Sequence, residues 1–166
     1  MNYFFLVLLV GSTAYALAWG GAPERIAASV YALSCVVTFV ALAASPARWQ
    51  SVEVGVFILD VLTFAIFCVL AMRAHRFWPI WVSGLPGLGV FGHLARWAGP
   101  DLFWWAYAVI MSIWSYPILA IIALGTWHHQ RRLARFDVDP SWSSEVRCSL
   151  KRRRAFPTTS PQSADR

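Results

Sequence analysis

Charge is scarce in this sequence. Of its 166 residues, 13% carry a charged side chain and 58% are hydrophobic. That charged share is about half of what a soluble globular domain uses. It is also uneven: nine charged residues lie in the first 130 positions and the remainder in the last 36. Uncharged windows cover 1–23, 26–47, 77–95 and 102–130, and Asp60 alone interrupts a fifth, 54–72. A soluble domain of this size has no polar face with which to hide five such windows from water. The same apolar content excludes a disordered chain. Cysteine is sparse too. Cys35, Cys68 and Cys148 stand far apart without a Cys-x-x-Cys pair, which excludes a disulfide-stapled module and the zinc or haem-attachment motifs. A P-loop, a Gly-x-Ser-x-Gly elbow and a His-Glu-x-x-His helix are all missing. No catalytic residue is indicated, and no metal or other cofactor is expected.

What the sequence has in abundance is apolar runs of membrane length. A helix needs about 20 mostly apolar residues to cross a ~30 Å hydrocarbon layer at ~1.5 Å per residue. The reading is therefore an all-α polytopic bundle occupying residues 1–130, with spans over 3–19, 26–45, 52–72, 78–97 and 102–127. None of these runs alternates with period two, so a porin-type barrel is excluded. Tyr3, Trp19, Trp49, Trp78, Trp104, Trp105 and Trp127 stand near span ends, where a half-wet aromatic ring is favoured. Gly20, Gly21 and Pro23 separate the first two spans and leave Glu24 and Arg25 in water. The fourth segment carries Pro79, Gly84, Pro86, Gly87, Gly89 and Gly92. These breakers fit a kinked span whose freed carbonyls are satisfied by neighbouring helices. Read instead as a re-entrant helix lining a polar site, the segment reduces the count to four spans.

Residues 131–166 are different material. They hold nine of the 14 Lys and Arg residues, including Arg131, Arg132, Arg135 and the run Lys151-Arg152-Arg153-Arg154. Their polar, proline-containing remainder cannot bury a core, so a basic and largely disordered tail is expected. The positive-inside rule places this tail in the cytoplasm and, with five spans, the N-terminus outside. Ala14-Tyr15-Ala16 resembles a signal-peptide cleavage site. The leader lacks Lys and Arg and its apolar run continues past the cut, so it is read as the first span. The tail can attract anionic membrane lipid. It has few aromatics, and nucleic acid is not an expected partner.

Asp60 is the most informative residue, lying about 10 Å into the third span. An ionised carboxylate at such depth costs about 2.5–3.5 kcal/mol, so Asp60 should be protonated, paired or facing water. His93 and Arg96 can reach it if spans three and four form an antiparallel hairpin; Glu53 lies two turns earlier on its face. The functional reading is a proton- or cation-responsive site, and the structural one is an interhelical hydrogen bond. Trp114 and Tyr116, with Pro117, fall near mid-membrane. They either line an apolar pocket for a lipid or quinone, or pack against span four. His128 and His129 are adjacent and face different sides of a helix, so they do not make a metal pair. Ala14/Ala18 and Ala28/Ala32 allow close helix approach.

The run Gly21-Ala22-Pro23-Glu24-Arg25, the Asp60 span and Trp114-Ser115-Tyr116 resemble small multi-pass inner-membrane proteins of alphaproteobacteria. The resemblance covers residues 1–130 and implies a bacterial inner-membrane location; it carries over no catalytic residue. The expected function is a non-catalytic accessory or scaffold element, as a homo-oligomer or within a membrane protein complex. The alternative is a small proton- or cation-coupled carrier or channel using Asp60 and His93. A third reading is a lipid- or quinone-binding membrane protein.

Overall fold

The computed structural model describes residues 3–44, 54–74, 76–99, 109, 113–136 and 142. They contain five helices and no strand: α1 Tyr3–Trp19, α2 Ala22–Ala44, α3 Val54–Arg73, α4 Trp78–Ala98 and α5 Ser115–Phe136. Several expectations fall outside the described residues: Glu53, His75, most of 102–112 with Trp104 and Trp105, Cys148, and the tail beyond Phe136 apart from Trp142.

Two helices, Ala22–Ala43 and Val54–Arg73, are long and apolar enough to cross a membrane, and α1 is a shorter apolar helix. Helix α2 begins at Ala22, four residues before the expected start. Pro23 occupies its first turn, where a missing N–H leaves no bond unmade, so the proline opens the helix instead of breaking it. Helix α4 is continuous from Trp78 to Ala98 despite Pro86 in its interior. It starts with Pro79 in its first turn and ends where the Gly99 N–H bonds Ala95 O at 3.0 Å. Of the expected span 102–127, residues 102–108 and 110–112 lie outside the described residues. The described part of α5 opens at Ser115, with Pro117 in the first turn, and runs through Arg131, Arg132 and Arg135 to Phe136. Arginine is a good helix former, so leaving the apolar stretch does not end the helix.

The helices form a closed ring in chain order, α5 returning to α1, while α2 also touches α5 across the middle. Helices α1 and α5 run parallel: Phe4 and Phe5 pack on Tyr116 at one end, and the Gln130 side chain bonds Trp19 O at the other. Helices α3 and α4 run antiparallel, with Phe57 against Trp97, Asp60 against His93 and Phe64 against Gly87. Direction alternates along the chain. The α1–α2 turn, the α3–α4 turn and the last turns of α5 therefore share one end of the bundle.

The apolar core gathers Leu9, Ala16, Ala27, Ala28, Tyr31, Phe67, Leu70, Val82, Ile118, Leu119 and Ile122. Large apolar side chains also cover the outside: Leu33, Val36, Val37, Phe39 and Val40 on α2, and Val54, Ile58, Leu62, Ile66 and Val69 on α3. Only 22% of the apolar stretch of each of these helices is buried. The interior, by contrast, takes in Glu24, Ser34, Thr63, Arg76, His93, Thr126 and His129.

Candidate functional site

The glycines of α4 explain how the α3–α4 hairpin closes. A Cβ on Gly87 would stand 3.1 Å from the Phe64 ring, and one on Gly89 would stand 3.5 Å from Asp60 Oδ2. Without these side chains α3 packs close, and His93 Nε2 meets Asp60 Oδ2 at 3.1 Å. His93 is 1% exposed, whereas the Asp60 side chain keeps 26% of its surface accessible. The imidazole is thus enclosed, with Phe57 edge-on against it, and the carboxylate has one open side. The density of breakers in this segment serves helix contact within a continuous helix.

A further polar link lies in the interior. The Thr63 hydroxyl, one turn after Asp60, donates to Leu59 O at 2.8 Å, and its oxygen accepts from Ser34 Oγ at 3.1 Å. The buried Tyr31 hydroxyl lies near the side chains of Ser115 and Cys35. The Thr63–Ser34 and Asp60–His93 bonds tie α2 to α3 and α3 to α4 through side-chain polar groups. Tyr116 lies elsewhere, level with Phe4 and Phe5 at the start of α1. The Trp114 indole N–H is buried and has no hydrogen-bond partner among the described residues. The four residues singled out from the sequence therefore form one contacting pair, Asp60–His93, with Tyr116 packed on α1 instead.

The largest polar cluster was not foreseen. Glu24, expected in water, is 0% exposed. Its Oε1 pairs with Arg76 Nη1 at 3.1 Å and accepts the Trp78 indole N–H at 3.1 Å. Arg76 Nη2 also reaches His129 Nδ1 at 3.2 Å. A guanidinium can only donate, so Nδ1 must be the acceptor and the ring proton resides on Nε2. Nε2 and the buried Glu24 Oε2 both face Gly21, where an added Cβ would lie 3.3 Å and 2.9 Å from them. One carboxylate, one guanidinium and one neutral imidazole thus join the α1–α2 turn, the α3–α4 turn and α5. Arg25, the neighbour of Glu24, is exposed as expected.

No family model, curated protein or solved structure matches the chain. Among the described residues no group of three or more His, Cys, Asp or Glu is placed to hold a metal ion.

A sequence signal for the cluster did exist. Glu24 and Arg76 carry opposite charge in two turns that alternating spans put on the same side of the bundle. Trp78 adds a mechanical role: its indole lies over Gly125, where a Cβ would stand 3.0–3.1 Å from three ring atoms. Gly84 is exposed, with nothing within 4 Å of an added Cβ. Both glycines are helical, so alanine gains a similar propensity of ~0.5–1 kcal/mol at each. Gly125→Ala should nevertheless be less stable than Gly84→Ala by about 1–3 kcal/mol, the scale of overpacking. Thermal unfolding of the two variants in one detergent measures this, and equal stabilities would refute the close Trp78 packing.

Proposed function

We propose that the chain is a five-span integral protein of the bacterial inner membrane with a cytoplasmic C-terminus, acting as a non-catalytic accessory or scaffold element. The observation that carries this is the inverted distribution of side chains. The outward faces of α2 and α3 are Leu, Val, Ile and Phe, while Glu24, Arg76, His93 and His129 are enclosed. In water such a surface is an aggregation liability; in lipid it is the favoured outside. Orientation is supported by charge: Arg25, Arg73, Arg131 and Arg135 are exposed at the end shared by the turns, as the positive-inside rule expects of a cytoplasmic face. The scaffold role is supported by what the polar groups do, since Asp60 with His93, Ser34 with Thr63, and Glu24 with Arg76 each join two segments. The likeness to small alphaproteobacterial inner-membrane proteins belongs to the same proposal, as does assembly into a homo-oligomer or a membrane protein complex.

Reporter fusions after Arg135 test the topology. A cytoplasmic reporter there should be active and a periplasmic one silent. A periplasmic signal would replace five spans with four.

A second reading draws on the open side of Asp60. A carboxylate held by a buried imidazole yet accessible over 26% of its side chain suits a proton- or cation-coupled carrier. That reading requires a pH-dependent flux into proteoliposomes, lost in Asp60→Asn.

A further inference from the structure

We propose that the basic end of the bundle binds the phosphate of an anionic phospholipid, seated against Trp19 and Trp127 and held by Arg25 and Arg131. The inference rests on the membrane reading and adds a partner to it.

The outward stripe of α5 passes from Ala120 and Leu124 to Trp127, then to Arg131 and Arg135, all of them exposed. Apolar, aromatic and basic residues follow one another at single-turn steps. That is the order of hydrocarbon, interface and headgroup met by a helix leaving a bilayer. The Arg131 guanidinium sits 3.9 Å from the centroid of the Trp127 ring, which holds the cation at the level of the interfacial indole.

Helix α1 ends beside it. The carbonyl of Trp19, itself exposed, accepts a bond from the side chain of Gln130, the residue before Arg131. The next carbonyl, Gly20 O, accepts from Arg25 Nε at 2.9 Å. Arg25 and Arg131 therefore flank the same helix end, two exposed guanidiniums fixed by contacts to the protein. The carboxylate adjoining Arg25 in sequence, Glu24, is enclosed against Arg76 and not turned to this surface.

A guanidinium matches a phosphate through two parallel N–H bonds. A zwitterionic headgroup brings its own cation and competes with the arginines; an anionic one does not. Leu124 and Ala120, one and two turns deeper than Trp127, offer acyl chains the contact that a free phosphate cannot use.

The test reconstitutes the full chain in phosphatidylcholine nanodiscs doped with phosphatidylglycerol, and measures retained lipid by native mass spectrometry after transfer to detergent. The parent should retain phosphatidylglycerol over phosphatidylcholine, and R25Q/R131Q should lose that preference by about tenfold or more, given ~1 kcal/mol per arginine near an anionic surface. R25K/R131K should keep part of it, and R96Q at the opposite end should keep all of it. Equal retention of the two lipids by the parent would overturn the proposal, as would an unchanged preference in R25Q/R131Q. Displacement of the lipid by millimolar inorganic phosphate would show a free-phosphate site and overturn it too. Phase separation in Triton X-114 separates the two failures. Recovery in the aqueous phase refutes the membrane reading itself, whereas recovery in the detergent phase without lipid preference refutes only this site.

Discussion

Replacing Arg76 by methionine is expected to destabilise the bundle by about 3–5 kcal/mol, the scale found when one partner of a buried ion pair is removed. Glu24 is 0% exposed and its Oε1 depends on Arg76 Nη1 and the Trp78 indole. Without the guanidinium an enclosed carboxylate retains one neutral donor, and transferring an uncompensated charge out of water is unfavourable by several kcal/mol. The loss should appear as failure to accumulate in the membrane and as a fall in unfolding temperature in detergent. The double variant E24Q/R76M removes both charges and should recover most of the loss, since neutral replacement of a whole buried pair is often close to neutral in stability. His129→Ala belongs to the same series, with a smaller effect of about 1–3 kcal/mol because Arg76 loses an acceptor but keeps its counter-charge. A cycle in which E24Q and R76M simply add would show that the two residues are not coupled, contrary to their 3.1 Å contact.

The parts of the fold that could be read from the sequence are those governed by a single run of residues. Helices α1, α3 and α4 lie within about two residues of the expected 3–19, 52–72 and 78–97, the ordinary uncertainty of a helix end. Helix α2 starts four residues before the expected 26 because Pro23, which reads in sequence as part of a break with Gly20 and Gly21, is well tolerated in a first turn. In α5, Pro117 likewise falls in the first turn of the described helix, and Tyr116 is level with Phe4. The Asp60–His93 contact was accessible because a carboxylate at membrane depth demands a partner, and an antiparallel hairpin offers few. Glu24–Arg76–His129 was harder. Glu24 and Arg76 border turns, where a charge is assigned to water by default, and the burial of all three depends on three segments converging at one end. Pairing of Ser34 with Thr63 leaves no trace in the pattern, because short hydroxyl residues are as common in apolar helices as inside their contacts.

Substitutions at Asp60 separate a structural bond from a functional one. Asp60→Asn keeps the size and an acceptor oxygen for His93 while removing the titratable charge. Its stability should stay within about 1 kcal/mol of the parent, since interhelical hydrogen bonds in membranes average ~0.6 kcal/mol. Asp60→Leu fills the volume but takes away the acceptor at Nε2 of a histidine that is 1% exposed. It should cost about 1–3 kcal/mol, the penalty for desolvating a polar group without its bond. Gly89 sharpens the contrast, because the room it leaves for Asp60 Oδ2, 3.5 Å from an added Cβ, is narrow for a branched Leu side chain. Thermal unfolding of both variants in the same detergent gives the ranking parent, Asn, Leu. Proteoliposome flux then decides the role. If Asp60→Asn is stable and carries no less flux than the parent, the carboxylate is a helix-joining acceptor and the carrier reading fails. If Asp60→Asn is stable and a pH-dependent flux disappears, the charge itself is used and the scaffold reading fails. Should Asp60→Leu prove as stable as the parent with no flux depending on residue 60, neither role survives, because the His93 contact would then contribute nothing measurable to fold or transport.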